Sequence, residues 1–154
     1  MTVRGGLVRL QIPSLFEMVD LVQVLSDRMG TMAGFDEDAV HWIGVAVRES
    51  VINAIKHGNK GDEHKHVHVE FTPLDAGRPS GIVIRVRDEG PGFDPELVAD
   101  PLAPENLLRS SGRGIFLIRS FMDEMVLQRA PQGGMGVVMV KRVTASALGL
   151  QNAE

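Results

Sequence analysis

Residues 82–93 read Ile-Val-Ile-Arg-Val-Arg-Asp-Glu-Gly-Pro-Gly-Phe. Successive side chains of a strand point to opposite faces, so Asp88 shares a face with Ile82, Ile84 and Val86, while the two arginines face the other way. This alternation predicts that the Asp88 carboxylate points into the core. A buried carboxylate is costly unless a hydrogen-bond donor satisfies it. The stretch therefore predicts a strand that ends at a polar site.

The residues after this strand suggest what the donor is. Gly90 and Gly92 have no side chains, so the backbone can approach a flat ligand closely. The exocyclic amine of a nucleobase would satisfy both the carboxylate and this flat approach. The alternative interpretation is an ordinary Asp-x-Gly turn after a strand, because this motif alone is only moderately specific.

The elements around this strand follow the order β-α-α-β-β-α-β-β. Strands are predicted over residues 7–12, 67–71, 82–88, 125–130 and 137–143, and helices over 15–29, 36–57 and from 112–114 onward. Short turns between strands favour a mostly antiparallel sheet, and the amphipathic helices must cover one face of it. The predicted fold class is an α/β two-layer sandwich.

Capping and turn residues predict where these elements end. Ser14 and Glu17 form a capping box that begins the first helix, and Gly30 ends that helix. Gly58 ends the second helix. The third helix is predicted to continue its apolar face as far as Met125, and residues 73–81 to form a hairpin connection. Residues 93–111 contain three prolines and predict a long mobile loop.

Composition restricts the class of protein. The chain has 154 residues and a net charge of −4, with no cysteine. Its length predicts a single domain, 1–154, with a core over about 7–143 and a frayed tail over 144–154. The absence of cysteine excludes disulfides and thiolate sites, and the scattered basic residues argue against nucleic-acid binding. No membrane span or secretory signal is visible, so the expected location is the cytoplasm.

The second helix carries a polar row on an otherwise apolar surface. Glu49, Asn53 and His57 recur every four residues, which places them along one face. Such a row can hold a hydrated divalent cation such as Mg²⁺ through oxygen ligands from Asn53 and Glu49. Glu49 is equally suited to act as a general base. The alternative is a solvated stripe shared with Arg48 and Lys56.

A glycine-rich sequence precedes the third predicted helix. Residues 111–114 read Ser-Gly-Arg-Gly, and free N–H groups at a helix N-terminus form a site suited to phosphate. Arg113 would add positive charge between Gly112 and Gly114. The alternative is a glycine-rich loop without a ligand, since Gly-x-Gly alone is weak evidence. The three motifs together, with a mobile loop between the second and third, describe a nucleotide pocket with a lid.

These motifs resemble the GHKL, or Bergerat-fold, ATP-binding superfamily. The segment Glu49-x-x-x-Asn53-Ala-x-x-His57 is similar to its N box, Asp88-x-Gly90-x-Gly92 to its G1 box, and Gly112-x-Gly114 to its G2 box. The continuations, Asp-Glu-Gly-Pro-Gly-Phe93 and Gly-Arg113-Gly-Ile-Phe-Leu-Ile-Arg, are most similar to bacterial anti-sigma-factor serine/threonine kinases. The similarity extends over about residues 7–143.

The resemblance implies a role for each of these residues. Asn53 would coordinate Mg²⁺ at the ATP phosphates, and Glu49 would accept the proton of a serine hydroxyl. Asp88 would bind the adenine amine, and Gly112 and Gly114 would hold phosphates under the lid. The family often has a threonine or similar polar residue where this chain has Met135, so one expected nucleotide contact is missing.

The resemblance also implies partners. The kinase would sequester a sigma factor, phosphorylate a small antagonist protein on serine, and form a homodimer. No nucleic-acid or membrane partner is expected. The alternative is a non-catalytic regulator that binds partners under the control of ATP, which the retention of Glu49 argues against. His64, His66 and His68 alternate on one strand and are interpreted as an exposed face rather than a metal site.

Overall fold

The computed structural model describes residues 6–75, 78–92 and 110–143. The strands are β1 (Val8–Pro13), β2 (His66–Asp75), β3 (Arg78–Arg87), β4 (Glu124–Arg129) and β5 (Met135–Arg142). The helices are α1 (Met18–Met32), α2 (Glu37–Asn53), a π-helical turn (Ala54–Gly58) and α3 (Ser110–Phe121). This order confirms the predicted one. Within the described ranges, no helix is both long enough and apolar enough to cross a membrane.

The five strands form one sheet in the order β1-β2-β3-β5-β4, and every neighbouring pair is antiparallel. The strand that leads into Asp88, β3, lies at the centre, with Val86 opposite Val69 of β2 and Val137 of β5. The predicted antiparallel sheet is therefore confirmed. A central position gives β3 partners on both sides, so the loop after it starts from a fixed point.

The sheet has one covered and one open face. The covered face carries buried apolar side chains that pack in a single core with buried side chains of α1 and α2. The strands contribute Ile12, Val67, Val69, Phe71, Ile84, Val86 and Met139, and the two helices contribute Val19, Val22, Ile43, Val47 and Val51. On the other face, Arg9, Gln11 and Arg85 are exposed. This period-2 segregation gives the two-layer sandwich that the sequence predicted.

Helix α2 lies between the other two helices and connects them. Its N-terminus is capped by Asp36, which accepts a hydrogen bond from the Ala39 N–H at 2.8 Å. On one side, Arg48 donates to Asp20 of α1 at 2.7 Å. On the other side, Trp42 stacks on Phe121 of α3 with ring centroids 4.0 Å apart. The position of α2 therefore fixes both neighbours.

The start and end of the first helix differ from the prediction. Helix α1 begins at Met18 after Glu17, whose side chain makes no cap. The hydroxyl of Ser14 instead donates to the Lys65 carbonyl at 2.6 Å, because a tertiary partner lies within reach. Gly30 is inside the helix, where the absence of a side chain lets Val40 approach. The chain turns at Gly34, which has a φ of 94°.

Other boundaries also shift. Met125 lies in β4 opposite Met139 and not on α3, since the chain re-enters the sheet directly after Met122. The predicted hairpin connection over 73–81 is wrong at its ends, because β2 and β3 continue pairing to Asp75 and Arg78. The last two residues of the predicted lid, 110 and 111, belong to the start of α3. The other residues of the lid, 93–109, and the tail, 144–154, lie outside the described residues.

Candidate functional site

Asp88 follows the last residue of β3 and is 5% exposed, as strand alternation predicted. Its Oδ1 accepts hydrogen bonds from the N–H groups of Gly90, at 2.9 Å, and Met135, at 3.1 Å. Its own N–H donates to the Met135 carbonyl at 3.0 Å. Within the described ranges no group donates to Oδ2. One oxygen of a nearly buried carboxylate is therefore satisfied, and the other can accept a bond from a ligand.

Three glycines from separate segments enclose this carboxylate. A Cβ on Gly58, at the end of the π-helical turn, would overlap the Asp88 side chain, and one on Gly90 would overlap the Gly58 carbonyl oxygen. A Cβ on Gly134, in the β4–β5 turn, would overlap the Asp88 carbonyl oxygen. Gly92 has a φ of 71° and lies beside Gly134. The site is thus assembled by close backbone contacts, and Gly58 and Gly134 belong to it although the sequence indicated only turns.

Glu89 points to the opposite side of the loop. Its carboxylate accepts hydrogen bonds from the His66 N–H at 2.5 Å and from His68 Nε2 at 3.1 Å. These bonds, the His66 one first, hold the pKa of Glu89 below its ordinary value of 4.5. Its backbone N–H donates to Oδ1 of Asn59 at 2.7 Å. The loop after β3 is therefore fastened on the side away from Asp88.

The histidine prediction was incomplete. His66 and His68 are half-buried against Glu89 rather than an exposed strand face, while His64 precedes the strand and is exposed. The spacing gave no carboxylate partner because Glu89 comes from another strand end. Among the residues that the structure describes, no group of three or more histidine, cysteine, aspartate or glutamate side chains is arranged to hold a metal ion.

Two members of the predicted polar row lie on α2, and the third lies in the π-helical turn after it. Glu49 and Asn53 are half-buried, and His57 is exposed in the π-helical turn. Neither Glu49 nor Asn53 forms a side-chain hydrogen bond within the described ranges, so their oxygens can serve a ligand. Arg48 does not join them, because it bonds to Asp20 and Gln23 on the α1 side. The alternative of a solvated stripe therefore loses Arg48, while Lys56 and His57 are exposed as it expected.

The predicted phosphate site lies at the start of α3. The helix begins at Ser110, two residues before the predicted start, so Gly112 falls in its first turn and Arg113 and Gly114 follow directly. First-turn N–H groups have no carbonyl partner within a helix and attract anions. Phe93, the last residue of the quoted Asp-Glu-Gly-Pro-Gly-Phe motif, lies outside the described residues.

Helix α2 relates the three motifs to one another. It carries Glu49 and Asn53, its C-terminal extension brings Gly58 against Asp88, and its N-terminal half stacks on α3 through Trp42. The chemistry of the groups fits Mg-ATP: an acceptor oxygen on Asp88 suits an adenine amine, and the amide oxygen of Asn53 suits Mg²⁺. Met135 bonds to Asp88 only through its own main-chain groups: its N–H donates to Asp88 Oδ1, and its carbonyl accepts the Asp88 N–H.

Comparisons with known proteins identify the family of this chain. A protein family described as "Histidine kinase-like ATPase domain" matches residues 12–141. The chain is 30% identical to serine-protein kinase RsbW of Listeria monocytogenes over 142 residues, which cover 88% of this chain and 87% of the relative. RsbW of Staphylococcus epidermidis is 30% identical over 143 residues, covering 88% and 86%.

A solved structure has a similar fold. The histidine kinase domain of the blue-light activated histidine kinase from Erythrobacter litoralis EL346 superposes with a TM-score of 0.54 at 15% identity. The match covers 93% of this chain and 67% of that one. At this identity the likeness concerns the fold alone, and it confirms the expected Bergerat-type sandwich.

Proposed function

The chain belongs to the histidine kinase-like ATPase family, within the GHKL superfamily, and from this membership we propose that it is an anti-sigma-factor kinase. In this proposal it uses Mg-ATP to phosphorylate a serine of a small antagonist protein, and it sequesters a sigma factor. The observation that carries the proposal is the buried Asp88 carboxylate, whose Oδ1 is fixed by two backbone N–H groups while no described residue donates to Oδ2.

Each residue of the site has a binding role in this proposal. Asp88 Oδ2 accepts the adenine amine, and the glycines around it bring the backbone close to the base. Asn53 holds Mg²⁺ through its amide oxygen, with His57 one turn further along the helix. The first turn of α3, with Gly112, Arg113 and Gly114, binds the phosphates through backbone N–H groups.

Glu49 is the proposed catalytic base. It lies one helical turn before Asn53, is half-buried, and has no hydrogen-bonding side-chain partner in the described part of the chain. It accepts the proton of the serine hydroxyl while the serine oxygen forms its bond to the γ-phosphorus and the bond to the β–γ bridging oxygen breaks. ATP supplies the phosphoryl group, and the protein contributes mainly position and charge.

The proposed partners require no nucleic acid and no membrane. They are a sigma factor, an antagonist protein that carries the acceptor serine, and a second copy of this chain in a homodimer. The cytoplasm is the proposed location, since these partners act there. A non-catalytic regulator that binds partners under the control of ATP would need the same Asp88 and Asn53 but no base at Glu49.

The test is phosphoryl transfer with defined variants. The protein is used to capture partners from its native cytosol and is then incubated with γ-labelled ATP and Mg²⁺. We expect one small captured protein to be labelled on serine. Glu49→Gln should abolish the labelling and retain ATP binding, whereas Asn53→Ala should weaken Mg-dependent binding. A captured partner that is retained but not labelled would refute the kinase assignment. Labelling by Glu49→Gln at the wild-type rate would refute the assignment of Glu49 as the base.

A further inference from the structure

We propose that Asn59 is a positioning residue for nucleotide recognition: its side-chain amide fixes the backbone of the loop that carries Asp88, and so sets the preference for an amine-bearing base. This inference rests on the proposed ATP site and adds a residue that contacts no nucleotide itself.

Asn59 uses all its side-chain hydrogen-bonding groups within the protein. It is 1% exposed. Its Nδ2 donates to the Ser14 hydroxyl at 2.8 Å and to the His66 carbonyl at 2.9 Å, and its Oδ1 accepts the Glu89 N–H at 2.7 Å. A buried amide with every group satisfied is rigid, because any rotation would leave a polar atom unpaired. Asn59 directly follows the π-helical turn and therefore connects it to Ser14 just after β1, to β2 and to the loop after β3.

The bond to Glu89 acts directly on Asp88. The Glu89 N–H belongs to the peptide group that joins it to Asp88, so holding this N–H fixes the orientation of that plane. The carbonyl oxygen of the same peptide lies against Gly134, where a Cβ would overlap it. The peptide is thus held on both edges, and the direction of the Asp88 side chain depends on it.

The histidine contacts complete the anchor. The Glu89 carboxylate accepts hydrogen bonds from the His66 N–H and from His68, both in β2. The carbonyl of His66, the first residue of β2, also accepts a bond from Asn59. Without the Asn59 amide, the loop would remain tied at the Glu89 side chain but would lose its restraint at the backbone. Asp88 would then keep its bonds from the Gly90 and Met135 N–H groups, but its direction would be less tightly fixed.

The consequence is a change in base preference rather than a uniform loss of binding. ATP offers a 6-amino group to Asp88, whereas ITP has a carbonyl oxygen there, which a fixed carboxylate repels. An Asp88 that can move loses the favourable bond with ATP and relieves the repulsion with ITP. A purely structural role for Asn59 would lower the affinity for both nucleotides together.

The test measures the dissociation constants of ATP and ITP by calorimetry for wild type, Asn59→Ala and Ser14→Ala. We expect Asn59→Ala to raise the dissociation constant of ATP roughly tenfold, which is the effect of one hydrogen bond lost or misdirected. The dissociation constant of ITP should change by less than about twofold. Ser14→Ala removes an Nδ2 partner and leaves the bond to Glu89, so it should lower the melting temperature without changing the ATP-to-ITP ratio.

A second measurement needs no variant. In the nucleotide-free wild-type protein, the Glu89 amide should exchange slowly with deuterium, because a buried amide accepts its hydrogen bond. Rapid exchange of this amide would overturn the inference even if Asn59→Ala fails to fold. An unchanged ATP-to-ITP ratio in a folded Asn59→Ala protein would overturn it and leave the proposed function intact. No preference for ATP in the wild type would refute adenine recognition by Asp88 and this inference together.

Discussion

Replacing Gly58 by alanine tests whether the site depends on the close approach of backbone to Asp88. Intrinsic helix propensity predicts stabilisation, since alanine is favoured over glycine in a helix by about 1 kcal/mol. Backbone strain gives no reason to expect otherwise, because Gly58 is not among the residues with a left-handed φ. The structure predicts the opposite sign for the change in the free energy of unfolding.

The reason is the space beside Asp88. A methyl group on Gly58 would overlap Oδ2, Cγ and Cβ of that side chain. The carboxylate cannot simply rotate away, since Oδ1 is held by the N–H groups of Gly90 and Met135. Overpacking costs about 1–3 kcal/mol, and one lost hydrogen bond to a charged group about 1.5–3 kcal/mol. After subtraction of the helix gain, we expect a net loss of about 1.5–5 kcal/mol.

The assay combines urea unfolding with ATP binding by calorimetry. Gly58→Ala should unfold at lower urea and bind ATP at least roughly tenfold more weakly, because Asp88 can no longer hold its position. Gly30→Ala is the matched control, since this glycine is also helical and its Cβ would meet only the end of Val40, at 3.3 Å. Gly30→Ala should change stability by no more than about 1 kcal/mol and leave ATP binding unchanged. A Gly58→Ala protein as stable as the wild type, with wild-type affinity, would refute the reasoning.

Three further variants address other contacts. Because the pKa of Glu89 is lowered in the folded protein, its stabilising contribution is present above its ordinary value of 4.5 and is lost as the pH falls through the lower folded value. The stability gap between wild type and Glu89→Gln should therefore be present above pH 4.5 and shrink as the pH falls below that value, and a pH-independent gap would contradict this. Ser14→Ala should lower the free energy of unfolding in urea by about 1–3 kcal/mol through the loss of one buried and one partly buried hydrogen bond, and a neutral result would show that these bonds are weak. Trp42→Ala should cost about 2 kcal/mol in the same assay, less than the ~3–5 typical of a buried aromatic, since Trp42 is 41% exposed; no loss would mean that its stacking on Phe121 does not hold α3.

The sequence predicted the features that depend on periodicity. Alternation along residues 82–88 placed Asp88 on the buried face, and the pattern of apolar residues gave the element order and the antiparallel sheet. These features are set by which face of an element is apolar, and this information is local. The positions of Glu49 and Asn53 on one face of α2 followed in the same way, from helical spacing alone.

The features that were missed depend on tertiary partners. Ser14 has the sequence signature of a helix cap, but Asn59 and the Lys65 carbonyl lie within reach, and a buried hydrogen bond between distant segments outweighs a solvent-exposed cap. Gly58 suggested a helix end, whereas its role is to leave room for Asp88. The distances that decide these roles join residues 30 or more positions apart, and no local pattern encodes them.

In the proposed site, the adjacent residues Asp88 and Glu89 would supply recognition and anchorage from one strand end. Since neighbouring side chains at the end of a strand point to opposite sides, Asp88 enters the site while Glu89 reaches β2. Neither residue can shift without the other, because the peptide between them is held by Asn59 on one edge and lies against Gly134 on the other. A ligand that bonds to Asp88 therefore binds to a group whose direction is already fixed by α2, β2 and the β4–β5 turn. Preorganisation of this kind lowers the ordering cost of binding, so a single carboxylate can discriminate between bases that differ in one exocyclic group.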